Sequence, residues 1–159
     1  MDIPAQAQLV APRERLAFLD SQSVTLPLPI TPLLAWRRIM ANPLPGLGLA
    51  FRTRDAISAR FGVRRIGGFS GAKVAAPQVG DRLDFFLVEQ ISDTSLSLSV
   101  RDRHLDVLTS VTTEGARLAI TSSVITHNWF GRAYMLPVGP AHRLIVRAML
   151  RRLRRGMAI

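Results

Sequence analysis

Between residues 82 and 128 apolar and polar positions alternate with a period of two, and four segments separated by short turns emerge. In the first, residues 82–91, Leu83, Phe85, Leu87 and Ile91 define one face, while Phe86 and Val88 make the other partly apolar. In the second, Leu96, Leu98 and Val100 alternate with Ser95, Ser97 and Ser99. That is the pattern of a strand with one face on a core and one in water. Asp93-Thr94 is the turn between them. A third strand spans 104–113, closed by Glu114-Gly115, and a fourth and longest spans 116–128. Turns this short join antiparallel neighbours, so the four strands form a meander.

The flanking segments change period. Residues 20–28 read as a first strand, closed by Pro27 and Pro29. Thr31 suits a helix N-cap and Pro32 the first helical position. Leu33, Leu34, Trp36, Ile39 and Met40 then predict a short helix that ends at Asn42-Pro43, because the residue before a proline is pushed out of the helical region. A second helix is expected over 47–61, with Gly62 as its stop. Gly67, Gly68 and Gly71 mark a loop; without a Lys-Ser/Thr dyad they do not make a phosphate cradle.

Beyond the meander, the proline-marked stretch up to Pro140 reads as irregular. A last helix is expected over 140–155, with Leu144, Ile145, Ala148, Met149 and Leu153 as its apolar stripe. Arg143, Arg147, Arg151 and Arg154 form its opposite side, and Gly156 stops it. With strands grouped and helices segregated, the chain reads as α+β, the last helix lying on one face of the sheet.

Composition adds bounds. At 159 residues the chain is one domain by size, large enough to fold without metal or disulfide. It has no cysteine, which removes disulfides, thiolate metal sites and cysteine nucleophiles together. No apolar run approaches the roughly 20 residues a membrane helix needs, and no secretory signal is evident, so a cytoplasmic location is the default expectation. The net charge is +10, and Lys73 is the single lysine among 21 basic residues. Six arginines crowd the end: Arg143, Arg147, Arg151, Arg152, Arg154 and Arg155. Either this is a solvated helix face with cations near the negative end of the macrodipole, or Arg143, Arg147, Arg151 and Arg155 make weak contact with an anionic surface. No aromatic residue interleaves them, so there is no clear nucleic-acid signal.

Three polar groups collect the histidines. Asp102, His104 and Asp106 open the third meander strand. His127 and Asn128 end the fourth, with Arg132 and Tyr134 just beyond, and His142 opens the last helix. A strand start lies beside the next strand's end in a meander, so these groups are expected to converge on one rim. A metal site is disfavoured by Arg103, Arg132 and Arg143, which would repel a cation. Acid–base work by a His–Asp pair and a purely structural polar network both stay open.

The run Leu83-Asp84-Phe85-Phe86, then Asp102-Arg103-His104-Leu105-Asp106, Thr126-His127-Asn128-x-x-Gly131-Arg132-x-Tyr134 and Pro140-x-His142-Arg143 resembles the bacterial domain of unknown function 2867 family. Trp36, Arg54-Asp55 and Phe61-Gly62 are similar to its N-terminal half. The resemblance implies a START/Bet v 1-like helix-grip fold: a curved antiparallel sheet wrapped around a long C-terminal helix, with two short helices after the first strand. It also implies an apolar cavity for a hydrophobic small molecule. The family carries no established activity, so no catalytic residue or cofactor is implied.

The expected organisation is a poorly ordered segment over 1–19 and a single helix-grip domain over 20–156. The leading expectation is a non-catalytic binding module whose pocket lies between sheet and last helix. Its apolar lining would include Phe85, Leu87, Leu108, Val124, Trp129, Leu144 and Met149. Its polar end would be Asp102, His104, Asp106, His127, Asn128, Arg132, Tyr134 and His142. The alternatives are an enzyme using the same cluster on a carbonyl or polyketide-like substrate, and a docking protein using the basic helix.

Overall fold

The Thr31 hydroxyl accepts the backbone N–H of Leu34 at 3.3 Å and Pro32 fills the first turn, so α1 (Pro32–Ala41) starts where its capping residues dictate. The computed structural model describes residues 1–60 and 75–158. Within them follow β1 (Phe18–Thr25), α1, α2 (Leu47–Ala59), β2 (Arg82–Leu83), β3 (Phe86–Ile91), β4 (Ser95–Arg101), β5 (Leu105–Glu114), β6 (Arg117–Thr126) and α3 (Trp129–Met157). The expected stop of α2 at Phe61-Gly62 and the loop of Gly67, Gly68 and Gly71 lie outside the described residues.

The strands form one antiparallel sheet in the order β1-β6-β5-β4-β3-β2. The chain is therefore α+β, a six-stranded sheet with a long C-terminal helix. No helix among the described residues is long and apolar enough to cross a membrane.

Four expectations are corrected. The segment 82–91 is not one strand. Asp84, at φ 55°, takes the left-handed conformation its short polar side chain tolerates, and the chain folds back so that Leu83 pairs with Phe86. The turn shifts the side-chain parity, so Leu83, Phe86 and Val88 meet the core rather than Phe85 and Leu87. An irregularity between Val88 and Gln90 returns Ile91 to the core side.

Second, the serine face of β4 is not wet. Ser95, Ser97 and Ser99 are buried, as are Ser110, Thr121 and Ser123 beside them. Gln90 accepts from Ser95 and Ser97, and Glu89 from Ser99. Residues ahead of β1 cross the same face: Gln8 N–H donates to the Ser110 hydroxyl at 3.3 Å and Val10 N–H to Ser123 at 2.9 Å. The segment expected to be loose thus supplies partners to the face expected to be solvated.

Third, α3 begins at Trp129, not at Pro140, and runs through Pro137 and Pro140. Each proline removes one helical hydrogen bond. Both rings are exposed, so neither disturbs the face packed on the sheet. Two glycines let that face come close. A Cβ on Gly131 would collide with the carbonyl oxygen of His104, and one on Gly139 would sit 3.1 Å from the Phe18 ring. Fourth, the buried side of α3 is Gly131, Gly139, Val146, Leu150 and Leu153, whereas Leu144 is 65% exposed.

Beneath α3 the core is in two parts. The larger joins α1 (Ala35, Trp36, Ile39) to Leu96, Leu98, Val111, Leu118, Ile120 and the second half of α3. The smaller, under the first half, is Phe18, Leu105 and Val124 with Val107, Tyr134 and Met135.

Candidate functional site

The turn from β4 to β5 is held by Asp102, whose carboxylate accepts the N–H groups of His104 (2.7 Å) and Leu105 (3.0 Å). Beside it β6 ends, and His127 N–H donates to the His104 carbonyl at 2.8 Å. Asn128 then caps α3, its Oδ1 accepting Gly131 N–H at 2.9 Å. With Oδ1 so used, Nδ2 is the donor toward His104 Nδ1, 2.9 Å away, and the His104 ring proton sits on Nε2. His104 is buried, its ring centroid 4.8 Å from that of Phe130. The His-Leu-Asp strand start and the His-Asn strand end meet at one rim, with the first turn of α3 beside them; the third expected group, His142-Arg143, does not join them.

Asp106 does not join His104 there. One register position beyond Leu105 it lies on the sheet face away from α3, where it meets Arg101 (3.4 Å) and His127 Nε2 (3.1 Å). Arg101 also binds Glu89 at 2.9 Å, and Glu89 accepts the Ser99 hydroxyl. Burial opposes the charge of Glu89, yet Ser99 and Arg101 outweigh it and hold the carboxyl below its ordinary range. The Glu89 hydrogen bond in turn raises the Arg101 guanidinium.

His142 belongs to neither group. It lies thirteen residues into α3, about 20 Å along the axis from Trp129. There it faces a seam that sequence reading missed. Asp20 on β1 pairs with Ser122 on β6, which pairs with Thr109 on β5. All three are buried in the face that carries the two apolar clusters. Thr109 and Ser122 hydroxyls lie 3.1 Å apart. Asp20 accepts Gln22 Nε2 at 2.7 Å and lies 3.6 Å from Arg143 Nε, whose guanidinium carbon stands 5.0 Å from the centre of the Phe18 ring.

The His142 ring meets Phe18 edge-on at 5.7 Å. Its Nδ1 is enclosed with no hydrogen-bond partner among the described residues. Burial pushes this imidazole below its ordinary range; Asp20 pulls it up, Arg143 pushes it down, and burial prevails.

The signal for the seam was present in the sequence. Phe18-x-Asp20-x-Gln22-x-Val24, Leu105-x-Val107-x-Thr109-x-Val111 and Leu118-x-Ile120-x-Ser122-x-Val124 each carry a polar break in a core-facing run. Only the register aligns those breaks.

The remaining expected residues scatter. Trp129 is 69% exposed and Arg132 is exposed, while Tyr134 packs in the smaller cluster. Phe85 sits in the β2–β3 turn against Phe86, and Leu108 is buried on the face away from α3. A pocket of about 310 Å³ on that far face, between residues 2–6 and Thr112, Arg117 and Ala119, contains none of the expected site residues.

A family model described as "Protein of unknown function (DUF2867)" matches residues 13–149, most of the chain. No curated protein and no solved structure matches it.

Proposed function

We propose that this chain, which belongs to the DUF2867 family, is a binding module for an amphipathic small molecule held between α3 and the sheet. One observation carries the reading: a buried polar seam interrupts the apolar face under α3, and within it His142 Nδ1 has no hydrogen-bond partner among the described residues. Buried polar atoms are paired in almost every fold, because leaving one unpaired costs about 1–3 kcal/mol. A group that the fold does not satisfy is one that a ligand can satisfy.

The seam suits a hydroxyl-bearing head. A hydroxyl would donate to the Asp20 carboxylate or to His142 Nδ1, and its apolar body would lie against Phe18, Val107, Val124 and Tyr134, α3 lifting from the sheet to admit it. The order of one strand, two helices, a meander and a long helix supports the helix-grip reading of the fold, in which such a ligand lies beneath the last helix. Of the expected polar end, His142 is retained; the rim residues His104 and Asn128 instead tie the start of α3 to the sheet.

Native mass spectrometry of the full chain, purified without detergent and incubated with dodecanol, tests this. The expected result is a one-to-one adduct that is lost when Asp20→Ala and His142→Ala are combined. No adduct, or equal occupancy in the double variant, removes the reading.

A second reading rests on the 3.1 Å approach of His127 Nε2 to Asp106, with the imidazole 38% exposed. A carboxylate so placed orients a His for acid–base chemistry on a carbonyl substrate. That pair lies on the opposite side of the sheet from the seam. His127→Gln therefore leaves dodecanol binding intact, and only a loss of turnover on a carbonyl substrate would support it.

A further inference from the structure

The outward face of α3 carries two features that its packing does not use. At about 100° per residue, Trp129, Leu136, Leu144, Arg147, Arg151 and Arg154 fall on one stripe, about 120° round the helix from the buried Val146 and Leu153. Its first half is apolar: Trp129, Leu136 and Leu144 are 69%, 77% and 65% exposed, three of the eight large apolar side chains so exposed among the described residues. Its second half is arginine. Arg147, Arg151, Arg154 and Arg155 are exposed, and none has an acidic partner among the described residues.

The macrodipole favours cations within the last turn, which accounts for Arg154 and Arg155 but not for Arg147 and Arg151; these stand one helical turn apart as like charges and repel. Here the chain has no acidic residue after Glu114. The unpaired charge favours an anionic partner, and the exposed leucines favour an apolar one. A lipid bilayer presents both within one surface.

We infer that this stripe docks the protein on an anionic lipid bilayer, Trp129, Leu136 and Leu144 entering the interfacial zone while Arg147, Arg151, Arg154 and Arg155 engage headgroup phosphates. A tryptophan at one end suits the headgroup level. Nucleic acid fits less well: its backbone offers the leucines nothing, and no aromatic stands among the arginines for base stacking. The stripe points away from the seam, so the inference is independent of the ligand proposed there.

Vesicle flotation of the full chain tests it. Binding is expected to phosphatidylcholine vesicles containing phosphatidylglycerol and not to phosphatidylcholine alone, and salt releases it. Combining Arg147→Glu, Arg151→Glu and Arg155→Glu weakens binding on the order of a hundredfold. Leu136→Ser with Leu144→Ser weakens it at unchanged charge, and brominated lipid quenches a fluorescence signal that Trp129→Phe removes. All these positions are exposed, so circular dichroism should show the variants folded. Failure to float on anionic vesicles overturns the inference, as does binding indifferent to the charge reversals. Binding indifferent to the leucine pair and competed by duplex DNA or an acidic polypeptide would also overturn it, in favour of a polyanion face.

Discussion

His142 and Gly131 show how single residues on α3 are tied to the sheet. Burial lowers the His142 imidazole, so the unfolded chain binds its proton more readily than the folded one. Stability is accordingly full above about pH 6.5 and falls as the pH drops through that value, levelling once the folded protein also takes the proton. Urea midpoints measured across this range should show the fall, and His142→Gln should flatten it. A variant with an unchanged profile contradicts the assignment. Glu89 acts in a lower window: its carboxyl is held down in the folded state, so its contribution is present above about pH 4.3 and is lost below that. Gly131 offers a test of sign. Gly→Ala inside a helix ordinarily gains about 1 kcal/mol. Here the new methyl would meet a backbone carbonyl that cannot rotate away, and Gly131→Ala should instead lose about 1–3 kcal/mol in chemical denaturation.

At the scale of elements, what could be read from the sequence depended on how local its cause was. Thr31-Pro32 start α1 through their own capping chemistry, and the turn at Asp93-Thr94 lies where the pattern puts it. The β2–β3 hairpin was missed because its turn rests on a single non-glycine residue, Asp84, taking a positive φ inside a run whose alternation reads as one strand. The first half of α3 was missed because Pro137 and Pro140 argue locally against a helix, while contacts with the sheet, distant in sequence, sustain it. The link between Asn128 and His104 was legible, since a meander puts a strand's start beside its neighbour's end. Asn128 does two things there, capping α3 and satisfying His104 Nδ1. Asn128→Ala should therefore cost about 2 kcal/mol, the sum of a lost cap and an orphaned nitrogen. Asn128→Asp keeps the cap's acceptor and should recover part of that loss, as thermal unfolding of the two variants would show.

Across the whole molecule, the sheet is covered on both faces, by α3 with α1 on one and by the N-terminal residues on part of the other. A serine face looks the same in sequence whether water or chain covers it, so Ser95, Ser97 and Ser99 were read as wet. Removing residues 1–11 should speed amide exchange in β5 and β6 and lower stability. Asp2→Asn, which breaks only the exposed pair to Arg117, should change stability by less than about 1 kcal/mol. The seam was missed for a related reason: its polar breaks are in the sequence, but Asp20 and Ser122 are neighbours only through the register of β1 with β6. It divides the apolar face, and it separates the polar chemistry under α3 from that at the rim. The chain's three imidazoles report on both places, His104 and His127 at the rim and His142 at the seam. Nuclear magnetic resonance of their ring nitrogens during titration with dodecanol puts the central claim to its most direct test. A shift of the His142 signals at saturation, with those of His104 and His127 unmoved, is the expected result. Movement of the rim signals with His142 silent, or no movement in any of the three, would contradict it.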